Sequence, residues 1–365
     1  MNRSYIVLIS LPFFWFSCTT LASTTNWDYS GGLVVTHQST NESHINDENG
    51  ASLDFIVSRK TAVGEWRAFI EAVTTPEASG VSSILPEANA DAGSALDKDN
   101  KGRVQVSELY YQHRLNAKRV VTAGLVDVSG FFEQSRIVSD ETTQFLGVSF
   151  TGNVTIEFPD YTPGLVYEHT LDSGPVLRAA ITSSNGLADN PERSYAQLFS
   201  VTEDGKGIFA IISASWKQKD WLLRAGAWTN TSDHDAIDGS SSGHDNFGGY
   251  LLAGYKQGQH ALNVRLGLAD DKVSQASDFA SLGYRFKHGD YVLGAGAAHI
   301  MLSSNEPNPV LGDTEHYEIY LRYAFDQGIF LTGDLQHIYN SNFGELAENR
   351  NEGITIYGLR FTWLY

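Results

Sequence analysis

The run from Asp97 to Glu108 carries oxygen-bearing side chains at a spacing that can bind calcium. Asp97, Asp99 and Glu108 occupy the first, third and twelfth positions of the EF-hand loop pattern, and Gly102 occupies the sixth. Lys101 stands at the fifth position, where calcium loops supply an oxygen ligand, and no amphipathic helices flank the run. The segment is therefore a candidate calcium loop, with an acidic surface loop as the alternative.

Other catalytic or metal-binding patterns are not evident in the sequence. None of the eleven histidines pair at the i, i+4 spacing by which zinc enzymes place two ligands on one helix face. No strand-to-helix turn is predicted that would support a serine nucleophile elbow. We therefore expect no catalytic residue, no cofactor, and no metal apart from the calcium candidate.

Composition excludes several classes of protein. The chain has 365 residues, with 43 acidic against 25 basic ones and a net charge of −18, so it lacks the cationic surplus by which proteins bind nucleic acid. Its 42% hydrophobic and 12% aromatic content is too high for a disordered chain. Beyond the N-terminal segment, no apolar run approaches the roughly 18 residues of a membrane-spanning helix.

Residues 1–22 predict a secretory signal peptide, with a short basic start, an apolar run at 5–16 and a small-residue cleavage site at 20–22. The mature chain, 23–365, is then expected to form one domain. The only cysteine, Cys18, lies in the removed segment, so we expect no disulfide. An exported domain without disulfides suits the envelope of a Gram-negative bacterium.

Apolar and polar residues alternate with a period of two along nearly the whole mature chain. Residues 357–365 are the clearest case, because every second one is a large aromatic or aliphatic residue. We predict sixteen strands, at residues 27–37, 51–59, 65–74, 104–115, 119–127, 163–171, 175–183, 207–216, 221–229, 247–256, 259–268, 279–287, 290–301, 314–325, 328–339 and 352–364.

The predicted connections alternate in length. Tight turns such as Gln257-Gly258 and His288-Gly289 alternate with long stretches such as 230–246 and 302–313. The predicted fold is all-β, a transmembrane antiparallel β-barrel of about 16 strands with long extracellular loops and short periplasmic turns, because this alternation and an even strand count are typical of outer-membrane barrels.

Charged residues test this prediction independently, because an arginine that faces lipid at mid-bilayer costs about 2–4 kcal/mol, whereas one that faces a wet lumen costs little. When apolar residues set the outward face of each strand, the mid-strand charges fall on the opposite face. The predicted pore-lining residues are Arg67, Glu71, Glu108, Arg114, Arg178, Arg224, Arg265, Arg285, Glu318, Arg322, Asp334 and Arg360.

The connection 128–162 is the longest in the predicted barrel and follows the fifth strand. A loop of this length is rarely a passive connector. In sixteen-stranded porins the third long loop folds into the lumen and narrows it, so this segment is the candidate constriction loop. Its candidate residues are Asp127, Glu133, Arg136, Asp140, Glu141 and Gln144.

Several stretches resemble the carbohydrate-selective porin family of Gram-negative outer membranes (OprB-like). The matching residues are Gly124-Leu125-Val126-Asp127 with Phe131-Phe132, Asp140-Glu141-Thr142-Thr143-Gln144-Phe145-Leu146, Ile156-Glu157-Phe158-Pro159-Asp160-Tyr161, Glu315 to Tyr323, Gly333-Asp334-Leu335-Gln336-His337-Ile338 and Tyr357-Gly358-Leu359-Arg360. The chain departs from the family pattern at Leu125, Gly333, His337 and Tyr365, where Lys, Pro, Tyr and Phe are usual. The resemblance implies a sugar-permeable channel whose path is lined by arginines and aromatic residues.

These patterns together predict a Gram-negative outer-membrane porin for passive diffusion of carbohydrates or similar small hydrophilic solutes. An arginine-rich lumen would equally favour small anions, so a general or anion-favouring porin is the alternative. A barrel enzyme and a non-conducting surface adhesin are alternatives from other classes. The expected partners are outer-membrane lipid, permeating sugars and the barrel-insertion machinery, and a homo-oligomer is left open.

Tyr365 is the expected assembly signal, because the machinery that inserts outer-membrane barrels recognises a terminal aromatic residue. Deleting Tyr365 should reduce the fraction of heat-modifiable, folded protein in the outer membrane. Tyr365→Phe, which keeps the ring, should assemble normally. Equal assembly of the deletion and of the parent chain would remove this role.

Overall fold

The computed structural model describes residues 27–202, 206–308, 312–341 and 353–365, so the predicted signal peptide at 1–22 lies outside the described part of the chain. These residues form a closed barrel in which each strand pairs antiparallel with its sequence neighbours, and the first strand pairs with the last. The predicted fold is therefore confirmed. No helix among the described residues is long and apolar enough to cross a membrane.

Sixteen strands make up the described barrel. They are β1 (Trp27–Thr40), β2 (Glu48–Lys60), β3 (Gly64–Val73), β4 (Val104–Asn116), β5 (Arg119–Val126), β6 (Thr162–Thr170), β7 (Val176–Ser183), β8 (Ile208–Lys217), β9 (Trp221–His234), β10 (His244–Gln257), β11 (His260–Ala269), β12 (Ala276–His288), β13 (Tyr291–Leu302), β14 (Thr314–Asp326), β15 (Ile329–Tyr339) and β16 (Ile354–Leu364).

Burial along the strands is the reverse of that in a soluble protein. In β14, Glu318 and Tyr320 point inward and are buried, whereas Ile319 and Leu321 point outward and are about half exposed. Successive side chains of a strand point to opposite faces, so one face of each strand meets the interior and the other forms an apolar outer band. An exposed apolar band is stable only against lipid.

Tight turns join the strands at one end of the barrel. Gly258, Gly289 and Gly328 have φ values of 59°, 57° and 83° in the turns after β10, β12 and β14. Two-residue hairpin turns require this left-handed conformation, which glycine adopts without steric cost. Glycines in short connections of the sequence therefore indicate the end of the barrel at which tight turns join the strands.

The strands extend further at the opposite end than the sequence predicted. β9 continues to His234 and β10 begins at His244, whereas the predicted ends were 229 and 247. In this polar stretch Asn230 pairs with Asn246 and His234 with His244, with a register shift between the two pairs. Alternation disappears from the sequence there because lipid no longer contacts the outer face, although the backbone pairing continues.

Two of the long connections fold against the inside of the barrel. Residues 74–103 contain α1 (Val81–Ile84) and a 3₁₀ turn (Pro86–Ala88), whose apolar side chains cluster with Ile338 of β15 and Ile356 of β16. Residues 127–161, here the third loop, contain α2 (Ser129–Phe132) and α3 (Val148–Thr151). The two segments meet where the Ala90 amide donates to the Leu146 carbonyl at 2.8 Å.

Aromatic residues of the third loop pack against glycines on the inner wall. The Phe145 ring lies 4.9 Å from that of Phe150 and 5.0 Å from that of Tyr320 in β14. A β-carbon added at Gly296 of β13 would lie 2.6 Å from the Phe150 ring, and one added at Gly283 of β12 would lie 2.5 Å from Val138. These glycines create the space in which the loop side chains lie.

Gly296→Val should lower the free energy of unfolding by about 1–3 kcal/mol, the usual cost of overpacking a filled interior, because the added side chain overlaps Phe150. Gly333→Val is the matched control, since Gly333 lies on the outer face of β15 with open space around it. Urea unfolding in lipid vesicles measures both. Equal losses in the two variants would contradict this packing.

Candidate functional site

The third loop crosses the lumen and contacts the wall formed by β9 to β16 through its own main chain. Five of the predicted pore-lining arginines donate to its carbonyl oxygens. Arg224 donates to Phe132, Arg265 to Phe150 and Thr151, Arg285 to Arg136, Arg322 to Thr143, and Arg360 to Glu141 and Gln144. These side chains therefore lie on the inner face of their strands, with the loop against them.

Acidic and neutral side chains of the same wall bind the loop as well. The Glu318 carboxylate accepts the amides of Leu146 and Gly147, both at 2.8 Å. His316 lies beside Ser149, with 3.2 Å between Nδ1 and Oγ, and its Nε2 contacts Gln336 at 3.0 Å. The wall thus satisfies both carbonyl and amide groups of one irregular segment, as buried backbone requires.

Two other predicted pore-lining arginines pair with carboxylates of the barrel and have no hydrogen bond to the loop among the described contacts. Arg67 of β3 donates to Glu108 of β4 at 3.0 Å. Arg178 of β7 pairs with Glu168 of β6 at 2.6 Å. Arg114 is exposed near the turn end of β4. The structure therefore separates five loop-binding arginines from the uncovered wall, a term used here for Arg67, Arg114 and Arg178, which have no hydrogen bond to the loop among the described contacts.

The uncovered part of the lumen contains a cavity of about 440 Å³ between β2, β3 and the two inward-folded loops. Six carboxyl groups line it, and no basic side chain does so among the described residues. The acidic residues are Asp54, Glu71, Asp91, Asp127, Glu141 and Asp160. The lining of this cavity is therefore acidic, whereas the sequence predicted an arginine-rich lumen.

Two aromatic rings line the same cavity. Phe69 and Tyr161 meet edge to face with 6.5 Å between their ring centroids. Tyr161 has a φ of 49°, a left-handed conformation that is uncommon for a residue with a side chain and that costs of order 1–3 kcal/mol. Apolar ring faces and carboxylates thus lie side by side in one cavity.

Burial changes the ionisation of the loop carboxyl groups in this cavity. It raises the pKa of Asp91 and Asp127, and it raises that of Asp160 well above its usual range, with Asp189 adding to the effect. Burial, together with the nearby Asp91, raises the pKa of the Glu141 carboxyl to about 8. A protonated carboxyl group donates a hydrogen bond, and an ionised one only accepts.

The structure distributes the six candidate constriction residues between the loop's two faces. Asp127 and Glu141 line the acidic cavity. Glu133 accepts from Arg265 Nε at 2.8 Å, and Arg136 and Gln144 offer carbonyls to the wall. Asp140 accepts the Thr142 and Thr143 amides and hydroxyls, which fixes a turn in the loop.

Two further predicted residues lie away from the cavity lining. Asp334 of β15 is buried and accepts from Gln336 at 2.9 Å. Tyr365 contacts Gly31 of β1 through two main-chain hydrogen bonds, where the barrel closes. The assembly role of Tyr365 stays a prediction.

The calcium candidate gains no support from this geometry. The Asp97 carboxylate accepts the amides of Asp99 and Lys101 in its own loop, both at 2.9 Å. Glu108 lies in β4 and faces Arg67. In the described ranges, no group of three or more histidine, cysteine or acidic side chains is arranged to hold a metal ion.

Sequence reasoning missed Asp54, Asp91, Asp160 and Tyr161 as cavity residues. Asp54 interrupts an otherwise apolar stretch of β2, a signal that the alternation contains. Asp91 belongs to the connection 74–103, where no alternation of apolar and polar residues indicates that the segment folds inward. Asp160 and Tyr161 end the stretch 156–161 that resembles the porin family, and that resemblance carries no information about which residues contact the cavity.

A closed antiparallel barrel with a long loop packed inside its lumen defines an outer-membrane porin. The sequence profile described as "Carbohydrate-selective porin, OprB family" matches residues 74–365. The chain belongs to this family, which confirms the resemblance that the sequence indicated.

Solved structures agree on the fold. A high pH structure of Pseudomonas putida OprB has a TM-score of 0.74 at 12% identity and covers 93% of this chain and 94% of that chain. OmpT of Vibrio cholerae has a TM-score of 0.58 at 13% identity, over 93% and 97% of the two chains. A mutant of Rh. blastica porin has a TM-score of 0.56 at 16% identity, over 92% and 100%.

One curated relative matches over a shorter range. An uncharacterized protein of Aquifex aeolicus (strain VF5) is 30% identical over 141 residues, which is 38% of this chain. The matched region spans 41% of that protein's length.

Glu141 should give the channel a pH-dependent ion preference. Because its pKa is raised to about 8, the carboxyl group is mostly neutral at pH 6 and acquires a negative charge as the pH rises through 8, which favours cations. Reversal potentials in a KCl gradient should therefore shift toward cation preference between pH 6 and pH 10, and Glu141→Gln should lose part of this shift.

Asp97→Asn is the control for this measurement. Main-chain hydrogen bonds from Lys101 and Asp99 lower the pKa of Asp97, so it is ionised at both pH values. Its replacement should leave the pH-dependent shift unchanged. If Glu141→Gln behaved like Asp97→Asn, the titration would belong to other groups.

Proposed function

We propose that this chain is a passive diffusion channel for carbohydrates or similar small hydrophilic solutes, and that the third loop is its constriction. The observation that carries the proposal is the cavity between that loop and β2–β3, which carboxyl groups and two aromatic rings line together. The proposed path runs through this cavity and along the uncovered wall.

The chemistry of the cavity suits sugars. Hydroxyl groups of a sugar donate to ionised carboxylates and accept from protonated ones, and the pKa of about 8 leaves the Glu141 carboxyl mostly protonated at neutral pH. The rings of Phe69 and Tyr161 offer apolar faces to the apolar faces of a pyranose. Polar groups at fixed positions in a largely preformed cavity are what selective binding requires.

A general porin is the second candidate, and the charge distribution favours cations over anions in it. Arg224, Arg265 and Arg360 are buried beneath the loop, whereas the cavity lining is acidic. The field of the lining therefore opposes the anion preference that the arginine count suggested. In this second candidate, the channel would conduct ions without binding sugar.

The fold and the family suggest a channel, and one local contact bears on the enzyme alternative. Ser241 Oγ lies 2.8 Å from His244 Nε2 in the exposed connection between β9 and β10. No carboxylate is hydrogen-bonded to His244 in the described part of the chain, so nothing orients the imidazole as a catalytic triad requires. An enzyme would otherwise need a serine beside a histidine on the barrel wall, such as Ser213 or Ser215 with His169 or His299. Both serines are buried, and Ser215 accepts from Arg224, so such a pair gains no support.

We further propose residence in a Gram-negative outer membrane, after export directed by residues 1–22 and insertion directed by Tyr365. The exposed apolar face of the barrel fits contact with membrane lipid. A homo-oligomer and a surface adhesin function remain hypotheses, of which the adhesin requires a closed lumen.

Planar-bilayer recordings with titrated glucose and longer oligosaccharides test the proposed solute. We expect sugar to reduce the ion current, and Tyr161→Ala to raise the half-blocking concentration about threefold or more, equivalent to about 0.7 kcal/mol. Tyr161→Phe, which keeps the ring, should retain most of the block. Ion conduction without sugar block would favour the general porin, and absence of channels would favour the adhesin or the enzyme.

A further inference from the structure

Three arginines of the inner wall have their charged groups beneath the third loop and not in the open lumen. The exposed fractions of Arg224, Arg265 and Arg360 are 6%, 0% and 1%. None of them lines the acidic cavity. A guanidinium in such a position contributes little to the electric field along an open path, because the loop lies between the guanidinium and the path.

We propose that Arg224, Arg265 and Arg360 are positioning residues that hold the third loop against β9–β16 by binding its main chain. Residues of the uncovered wall and the cavity then set the charge of the path. This inference rests on the proposed role of the loop as the constriction.

The contacts fit this role because each arginine satisfies several loop groups at once. Arg360 donates to the Glu141 and Gln144 carbonyls. Arg265 donates to the Phe150 and Thr151 carbonyls and to Glu133. Arginine presents five N–H donors in a planar fork, so one side chain can bind two carbonyls of an irregular segment that has no strand partner.

Side chains of opposite polarity on β14 and β16, which lie either side of β15, make the docking specific. Glu318 of β14 accepts the amides of Leu146 and Gly147, while Arg360 of β16 donates to carbonyls at 141 and 144. Thr362 adds a bond from its hydroxyl to the Thr142 carbonyl at 2.7 Å. Donors and acceptors of the segment 141–147 are thus bound together, which fixes its position along the wall.

Arg178 provides a natural contrast on the same inner surface. Its guanidinium pairs with Glu168 of the adjacent strand, and the described contacts include none between Arg178 and the loop. We therefore expect Arg178 to influence ion preference without holding the loop.

A cysteine introduced at a buried position of the loop would report whether the loop is docked. Ser149 of α3 is fully buried where the loop contacts His316, and Cys18 is the sole cysteine in the sequence. In a Cys18→Ser background, Ser149→Cys should react slowly with a membrane-impermeant maleimide. Adding Arg360→Ala should raise this rate about tenfold or more, equivalent to about 1.4 kcal/mol of docking free energy.

Matched variants separate docking from charge. Arg178→Ala should leave the labelling rate unchanged and shift the reversal potential toward cations. Arg360→Ala should raise the single-channel conductance and admit longer oligosaccharides. Arg360→Lys should restore part of the protection, because an ammonium still donates to a carbonyl although it lacks the planar fork.

The proposal would be overturned if Arg360→Ala were labelled at the same rate as the parent protein and shifted the reversal potential as Arg178→Ala does. If Arg360→Ala does not form a heat-modifiable barrel, Arg265→Lys replaces it, since an ammonium lacks the planar fork by which Arg265 binds Glu133 and the Phe150 and Thr151 carbonyls, next to position 149. A rise in labelling above that of Arg178→Ala would then support the proposal, and an unchanged rate would overturn it.

Discussion

The main chain of a loop inside a barrel must find hydrogen-bond partners, and the structure depends on how it does so. The strands cannot supply them from their backbone, because the closed antiparallel ladder already uses those groups. Side chains of the inner wall supply them instead, with guanidinium groups for the carbonyls and Glu318 for two of the amides. An orphaned buried backbone group would cost about as much as a lost hydrogen bond.

This constraint divides the lumen into two halves with different chemistry. On β9 to β16, the basic residues lie against the loop and pack beside the aromatic cluster of Phe145, Phe150 and Tyr320. On β2 to β7, charged side chains stay near open space, and Arg67 and Arg178 pair with carboxylates of adjacent strands. The same residue type therefore holds the loop on one wall and borders the proposed path on the other.

The sequence predicted the barrel because lipid contact imposes a period of two on every strand, as in Ile319 and Leu321 against Glu318 and Tyr320. It placed the arginines on the inner face for the same reason. It could not tell which of them meet water and which meet a loop, because both environments tolerate a charge and neither adds a period. Asp91, in a connection without alternation, carried no signal of its inward position.

Anchoring through the main chain has a consequence for the solute path. Because the wall binds carbonyls and amides, we expect a loop side chain on the open face, such as Glu141, to be replaceable without loss of docking. The departure at Leu125 is consistent with this separation. Leu125 pairs with the outward-facing Leu109, whereas the next residue, Val126, packs inward with Phe132. A leucine where the family usually has lysine therefore removes no charge from the inner face of β5.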